Sequence, residues 1–227
     1  MGLRRVDEIL EVLFPPACLL CGQRATPAAP ACAGCLADLP WCAGPAADPP
    51  PPFEEVRSAL KYEYPVDRLI AAAKFGRQAS VARDLGLLLA LRLPAPSSPP
   101  DAVVPVPLHW QREADRGFNQ SGEIARALCR SRGWPLRGDL CRRVRATPEQ
   151  SGLGAAGRRD NLRGAFALTT PRRLRGLGHV LIVDDVLTTG ATAGALAELL
   201  QAAGVPRLWL WTVALTPAPA QVTVLNV

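Results

Sequence analysis

Val180-Leu181-Ile182-Val183-Asp184-Asp185-Val186-Leu187-Thr188-Thr189-Gly190-Ala191-Thr192 decides how this chain reads. His179 to Val183 is an unbroken run rich in β-branched residues, the pattern of a parallel strand buried on both faces. It delivers Asp184 and Asp185 to its carboxyl end, where open α/β sheets bind ligands. Thr188 to Thr192 then offers hydroxyls and successive backbone N–H groups at the start of a helix, which suits an anion. Gly190 lets the backbone come close to a phosphate. Acids that accept from a diol, followed by donors that hold a phosphate, suit a sugar phosphate. The alternative is an acidic strand end and a capped helix with no ligand.

Outward from this unit, a helix is predicted from about Ala191 to Ala203, ended by Gly204, with a strand from Arg207 to Leu215. Upstream, Val56 to Tyr62 reads as a strand, and Pro65 suits the first position of a helix through Lys74. A second helix runs from about Gln78 to Leu93, and Ala102 to Val106 is another apolar strand. After a polar loop, a helix capped by Ser121 runs through Cys129, and short strand signals follow at 140–144 and 165–168. Strands alternating with helices predict an α/β domain with a mostly parallel sheet. At the front, Val6, Ile9, Leu10, Leu13 and Phe14 keep helical spacing until Pro15-Pro16. The expected domains are 1–47, a helix with a cysteine module, and 53–227, the sheet domain, joined by a proline-rich linker.

The chain has 227 residues, 48% hydrophobic and 20% charged, which excludes wholesale disorder. Its longest strongly apolar stretch, Leu85 to Leu91, falls far short of the ~20 residues that span a bilayer. The first residues lack the apolar core of a secretion signal, so a soluble, cytoplasmic protein without stable membrane insertion is expected. Net charge is +6, yet residues 111–175 hold 15 Arg against 6 acids. That basic section points to phosphate-rich partners, or else reflects only a coding preference for Arg over Lys. The only lysines are Lys61 and Lys74 and no GxxxxGK[ST] occurs, which excludes a P-loop nucleotidase.

Cys18-x2-Cys21 and Cys32-x2-Cys35 are separated by ten residues. Each pair can turn both sulfurs toward one point, and four thiolates fit a tetrahedral, structural Zn²⁺ with no open position. Disulfides are the competing reading, and CxxC pairs in an intracellular chain favour metal. Cys42 stands near the cluster without a CxxC partner, and Cys129 and Cys141 read as ordinary buried thiols.

The segment from Val180 to Thr192 resembles the phosphoribosyl-pyrophosphate (PRPP) motif of the type I phosphoribosyltransferases. Three further segments sharpen the likeness: Lys74-Phe75-Gly76; Pro105-Val106-Pro107-Leu108 leading through Arg112 to Arg116-Gly117-Phe118-Asn119-Gln120-Ser121; and Arg145-x4-Gln150 leading to Arg158-Arg159-x-Asn161 and Gly164-Ala165-Phe166. With the cysteine module in front, nearly the whole chain resembles the ComF family of competence-associated, phosphoribosyltransferase-like proteins. The resemblance implies an α/β fold, a type I phosphoribosyltransferase-like parallel sheet flanked by helices, with a small N-terminal zinc-ribbon-like module. By the same resemblance Asp184 and Asp185 hold the ribose hydroxyls, directly or through Mg²⁺. Thr188, Thr189, Gly190, Ala191 and Thr192 hold the 5′-phosphate. Lys74, Arg112, Arg116 and Asn119 lie near the pyrophosphate. A solvated basic loop is the alternative for Arg112 and Arg116. For Arg158, Arg159 and Arg163 the choice is between a salt-bridged helix face and ligand contact.

Two functions follow from the resemblance. In the first, Mg²⁺-dependent transfer moves phosphoribose from PRPP to an unidentified acceptor, in a protein linked to DNA uptake and its competence-machinery partners. In the second, the fold senses PRPP without catalysis and holds single-stranded DNA. Thr188 stands where purine-salvage relatives often carry an Asp that serves the base, so the acceptor is not written in this motif.

Overall fold

Glu55–Lys61 (β1), Ala102–Pro105 (β2), His179–Leu187 (β5) and Arg207–Leu215 (β6) form one sheet in the order β1-β6-β5-β2, every pairing parallel. Cys141–Arg143 (β3) and Phe166–Leu168 (β4) make a separate antiparallel pair. The α-helices among the described residues include Ala33–Asp38 (α1), Val66–Phe75 (α2), Ala79–Arg92 (α3), Trp110–Arg116 (α4), Gln120–Arg132 (α5) and Ala191–Ala202 (α6). The protein's structure, a computed structural model, describes residues 16–25, 29–146, 162 and 164–216. The helix expected at 2–14 and the residues Gln150, Arg158, Arg159, Asn161 and Arg163 lie outside the described residues.

β5 shows why the sheet is parallel and two-sided. Leu181 and Val183 enter one core with Leu85, Leu88 and Leu89 of α3, Ile124 and Leu128 of α5, and Trp211 of β6. Val180 and Ile182 point the other way, into a core with Leu196 and Leu200 of α6, Leu208 and Leu210 of β6, and Phe166 of the small sheet. Alternate side chains of one strand thus feed both layers, as the unbroken apolar run requires. Gly86 sets the approach of α3 to α5, since a Cβ there would lie 2.4 Å from the Ile124 carbonyl oxygen.

The expected parallel sheet flanked by helices, with a small cysteine module in front, is the observed architecture. Local differences have local causes. Trp110–Arg116 is helical where the sequence reads as a polar loop. This helix buries none of its residues, so it has no apolar face to read, and it stops at Gly117, whose φ is +85°. The cap of α5 is Asn119, not Ser121: the Asn119 side-chain oxygen accepts from Gly122 N at 3.3 Å. Ser121 is thereby free to turn elsewhere. Pro65 is the cap of α2 rather than its first residue.

The chain leaving the cysteine module runs along the outer edge of β1. Lys61 N donates to Pro40 O at 2.8 Å, Cys42 N to Ala59 O at 2.9 Å, and Ala46 N to Val56 O at 2.9 Å. Trp41 Nε1 donates back to Leu36 O at 2.8 Å, and the Arg92 guanidinium lies 5.8 Å from the Trp41 ring. One edge of the sheet is covered in this way, which protects it from pairing with another chain.

Candidate functional site

β5 extends through Leu187, so Asp184 and Asp185 sit inside the strand near its carboxyl end rather than after it. Consecutive residues of α5 meet them. Ser121 Oγ donates to Asp184 Oδ1 at 2.8 Å, and Gln120 Nε2 donates to Asp185 Oδ2 at 3.1 Å. Lys74 Nζ, from the last turn of α2, pairs with the same Asp185 oxygen at 3.1 Å. Arg116 Nη1 donates to Gln120 Oε1 at 2.9 Å, which closes a chain from Arg116 through Gln120 and Asp185 to Lys74. Burial and the neighbouring Asp185 carboxylate push Asp184 up to about 7, against the downward pull of Ser121, the Asp185 N–H and Lys74. Two adjacent carboxylates with this mutual repulsion are relieved by a cation or by donors from a polyol.

A cavity of about 410 Å³ opens here, and Lys74, Arg112, Arg116, Asp184, Asp185, Thr188 and Thr192 all line it. Thr189, Gly190 and Ala191 line a smaller hollow of about 40 Å³ that shares Asp184, Thr188 and Thr192 with the larger one. Gly190 caps α6 with φ +72°, and Ala191 N lies 3.5 Å from Thr189 Oγ1. The loop therefore brings the first N–H groups of α6 to the same wall as the acids. Asn119 does not line this cavity. Besides capping α5 it donates Nδ2 to Val106 O at 3.0 Å, and it borders a different cavity of about 310 Å³.

The cavity wall also holds residues that the sequence reading did not single out for it. Gln120 and Ser121 lie in the quoted segment, but a polar pair at the start of a helix reads first as a cap. Tyr62 and Thr216 follow the ends of β1 and β6 and carry no distinguishing signal. Arg143 comes from β3, its guanidinium 5.6 Å from the Phe166 ring, and burial, with the Arg112 charge next, lowers its pKa despite Asp184. Nothing in the run Arg142-Arg143-x-Arg145 tells which Arg turns inward.

At the front of the chain, the sulfurs of Cys18, Cys21, Cys32 and Cys35 all lie within 4.8 Å of one another. All four are free thiols. The Cys21 and Cys32 sulfurs are 3.8 Å apart, the edge of a tetrahedron built on ~2.3 Å zinc–sulfur bonds, ~3.8 Å. Burial raises the Cys18 thiol, but N–H donors from Cys21, Cys32 and Leu20 outweigh it and hold the group at about 6. Crowding by the Cys32 and Cys21 thiols pushes Cys35 up to about 12. Four thiols converging on one point, with N–H groups already aimed at a sulfur, fit a structural zinc ion. Cys42 lies outside this cluster.

Curated relatives cover most of the chain. DNA utilization protein YhgH of Salmonella typhimurium is 38% identical over 187 residues, 76% of this chain and 81% of that protein. Competence protein F of Haemophilus influenzae is 32% identical over 204 residues, 88% of this chain and 84% of that protein. The chain belongs to the ComF/YhgH family. YhgH of Escherichia coli K12 spans a similar share, 35% identical over 199 residues, 86% of this family member and 82% of its own length. No protein-family model matches. Among solved structures, the glutamic acid mutant from an analysis of an invariant aspartic acid in HPRTs aligns at TM-score 0.36 and 16% identity, covering 63% of this chain and 78% of that one. Likeness at that level adds no weight, and the fold of this ComF/YhgH member stands on its strand order. No helix among the described residues is long and apolar enough to cross a membrane.

Proposed function

We propose that this ComF/YhgH protein binds PRPP with Mg²⁺ and transfers its phosphoribosyl group to an acceptor, in the service of DNA utilization and competence. The observation that carries the reading is the convergence of two carboxylates, a threonine-rich helix start and four cations, Lys74, Arg112, Arg116 and Arg143, on one cavity. Asp184 and Asp185 receive the ribose hydroxyls. The N–H and hydroxyl groups from Thr188 to Thr192 receive the 5′-phosphate. Lys74, Arg112 and Arg116 face the pyrophosphate, and Asn119 acts on it only indirectly, by capping the helix that carries Gln120 and Ser121.

The donor set also fits Mg²⁺, a hard cation that takes oxygen ligands, because burial and the Asp185 charge raise the Asp184 carboxyl, and a cation between the two acids relieves that. Asp184 and Asp185 would hold it, and it would supply charge neutralisation at the diol and the leaving oxygens. In the transfer itself, the bond from ribose C1 to the pyrophosphate oxygen breaks and its electron pair leaves with pyrophosphate. An N–H or O–H nucleophile forms the new bond to C1 and gives up its proton to the departing pyrophosphate. Negative charge grows at the leaving oxygens, where Lys74 and the two arginines are already fixed, so little reorganisation accompanies the step.

Phosphorus NMR of PRPP with Mg²⁺ and substoichiometric protein tests the reading. The 5′-phosphate and both diphosphate resonances are expected to broaden. Lys74→Ala should spare broadening of the 5′-phosphate more than that of the diphosphate. Sharp resonances throughout with the native protein would overturn the reading.

A further inference from the structure

Lys74, Phe75, Arg77, Arg112, Asp115 and Arg116 line a second, open cleft, also about 410 Å³, between the end of α2 and the face of α4. It is a continuation of the first, since Lys74, Phe75, Arg112 and Arg116 line both. The first cavity by itself has the size of a small-molecule site, ~300–1,000 Å³. Four cations face a single acid there. Phe75, at 70% exposure, is one of the most exposed large apolar side chains described, and the Arg116 guanidinium lies 5.5 Å from its ring. Arg112 and Arg116 are four apart on α4 and share a face.

Arg77 adds an independent sign. Its φ is +52°, the one positive φ at a residue other than glycine among those described. Glycine would take this left-handed backbone without cost, whereas a side chain there is disfavoured. Backbone strain of this kind gathers where a side chain is needed at a ligand site.

We propose that this cleft binds a nucleotide phosphate, the base stacked on Phe75 and the phosphate held by Arg77 and Arg112. A ring platform beside fixed guanidinium groups is the chemistry that takes both parts of a nucleotide at once. The same chemistry serves a free nucleotide and a nucleotide within a single strand. Because the cleft shares Lys74, Arg112 and Arg116 with the first cavity, its occupancy competes with pyrophosphate for those cations.

Calorimetric titration with ATP and with a nine-nucleotide oligo(dA) tests the proposal, using zinc-loaded full-length protein in the Asp184→Asn/Asp185→Asn background to silence the sugar-phosphate site. Saturable binding is expected, weakened about tenfold by Phe75→Ala, a size typical of losing one base stack. Arg77→Gly suits the left-handed backbone, so its fold is safe. That variant should weaken ATP and leave adenosine unchanged, while Mg²⁺·PRPP binding in the otherwise native protein persists. Tighter oligo(dA) than ATP assigns a strand as the source, and equal affinities assign free nucleotide; both support the cleft. Binding by neither probe overturns it. So does binding that ignores both substitutions, or that tripolyphosphate displaces as well as ATP itself does. Failure of PRPP binding in the native protein alone would overturn the reading of the first cavity and leave this one standing.

Discussion

Gln120 donates to the Asp185 oxygen that also pairs with Lys74, each contact at 3.1 Å. Its own carbonyl accepts from Arg116, so one buried amide ties a carboxylate of the diol end to a cation of the pyrophosphate end. Gln120→Leu keeps the volume and breaks both links. It strips a donor from a buried carboxylate, a loss of about 1–3 kcal/mol in stability. PRPP affinity should fall further than ribose 5-phosphate affinity. A double-mutant cycle with Arg116→Ala, read on pyrophosphate binding, checks the link: additive effects would show that Gln120 and Arg116 act separately.

The cysteine module and the sheet edge should lose order together. Its exit strand hydrogen-bonds to β1 through the Cys42 and Ala46 N–H groups. Hydrogen exchange before and after chelation is expected to release residues 29–46 and the outer edge of β1, while β5 amides stay protected. Protection unchanged by chelation, or a purified protein without zinc, would contradict the metal reading.

Much of this was legible in the sequence. The run Val180–Val183 shows a two-sided strand because every residue in it is apolar, and the CxxC pairs bring their sulfurs together as their spacing implies. The acids and the threonine loop fell at a strand end and a helix start, which periodicity alone locates. Other features were not legible. α4 buries no residue, so it leaves no periodic trace, and Ser121 and Asn119 are both good cap residues, so nothing local shows that Asn119 caps α5 and Ser121 turns to Asp184. Gln120 and Arg143 depend on contacts with β5 and β4, across a distance no local pattern spans.

Gly86→Ala should destabilise the fold through the contact of α3 with α5. Its new methyl would sit 2.4 Å from the Ile124 carbonyl oxygen and 2.8 Å from the Ala127 Cβ, so α3 and α5 must separate. Overpacking of this kind costs about 1–3 kcal/mol. Urea unfolding measures it, and a midpoint equal to the native one would mean the helices yield freely.

His179 should make stability fall in acid. Both ring nitrogens are buried without a hydrogen-bond partner, and the ring lies edge-on to Trp209 with centroids 4.2 Å apart. Burial, and then the Arg207 charge, hold its pKa below the ordinary 6.5 despite Asp101, Glu54 and Glu55. The unfolded chain therefore takes a proton near pH 6.5 that the folded chain refuses. Stability from this residue is complete above that pH, declines as pH falls below it, and levels off beneath the folded value. His179→Phe keeps the ring contact and removes the proton site, so its unfolding free energy should depend less on pH across this window. Equal pH dependence in both proteins would exclude His179 as the source.

The most direct test of the central claim is calorimetric titration of the zinc-loaded protein with Mg²⁺·PRPP, beside Asp184→Asn/Asp185→Asn. Saturable binding in the native protein, abolished in the variant, is the predicted result. No heat and no thermal stabilisation of the native protein at millimolar PRPP would contradict it.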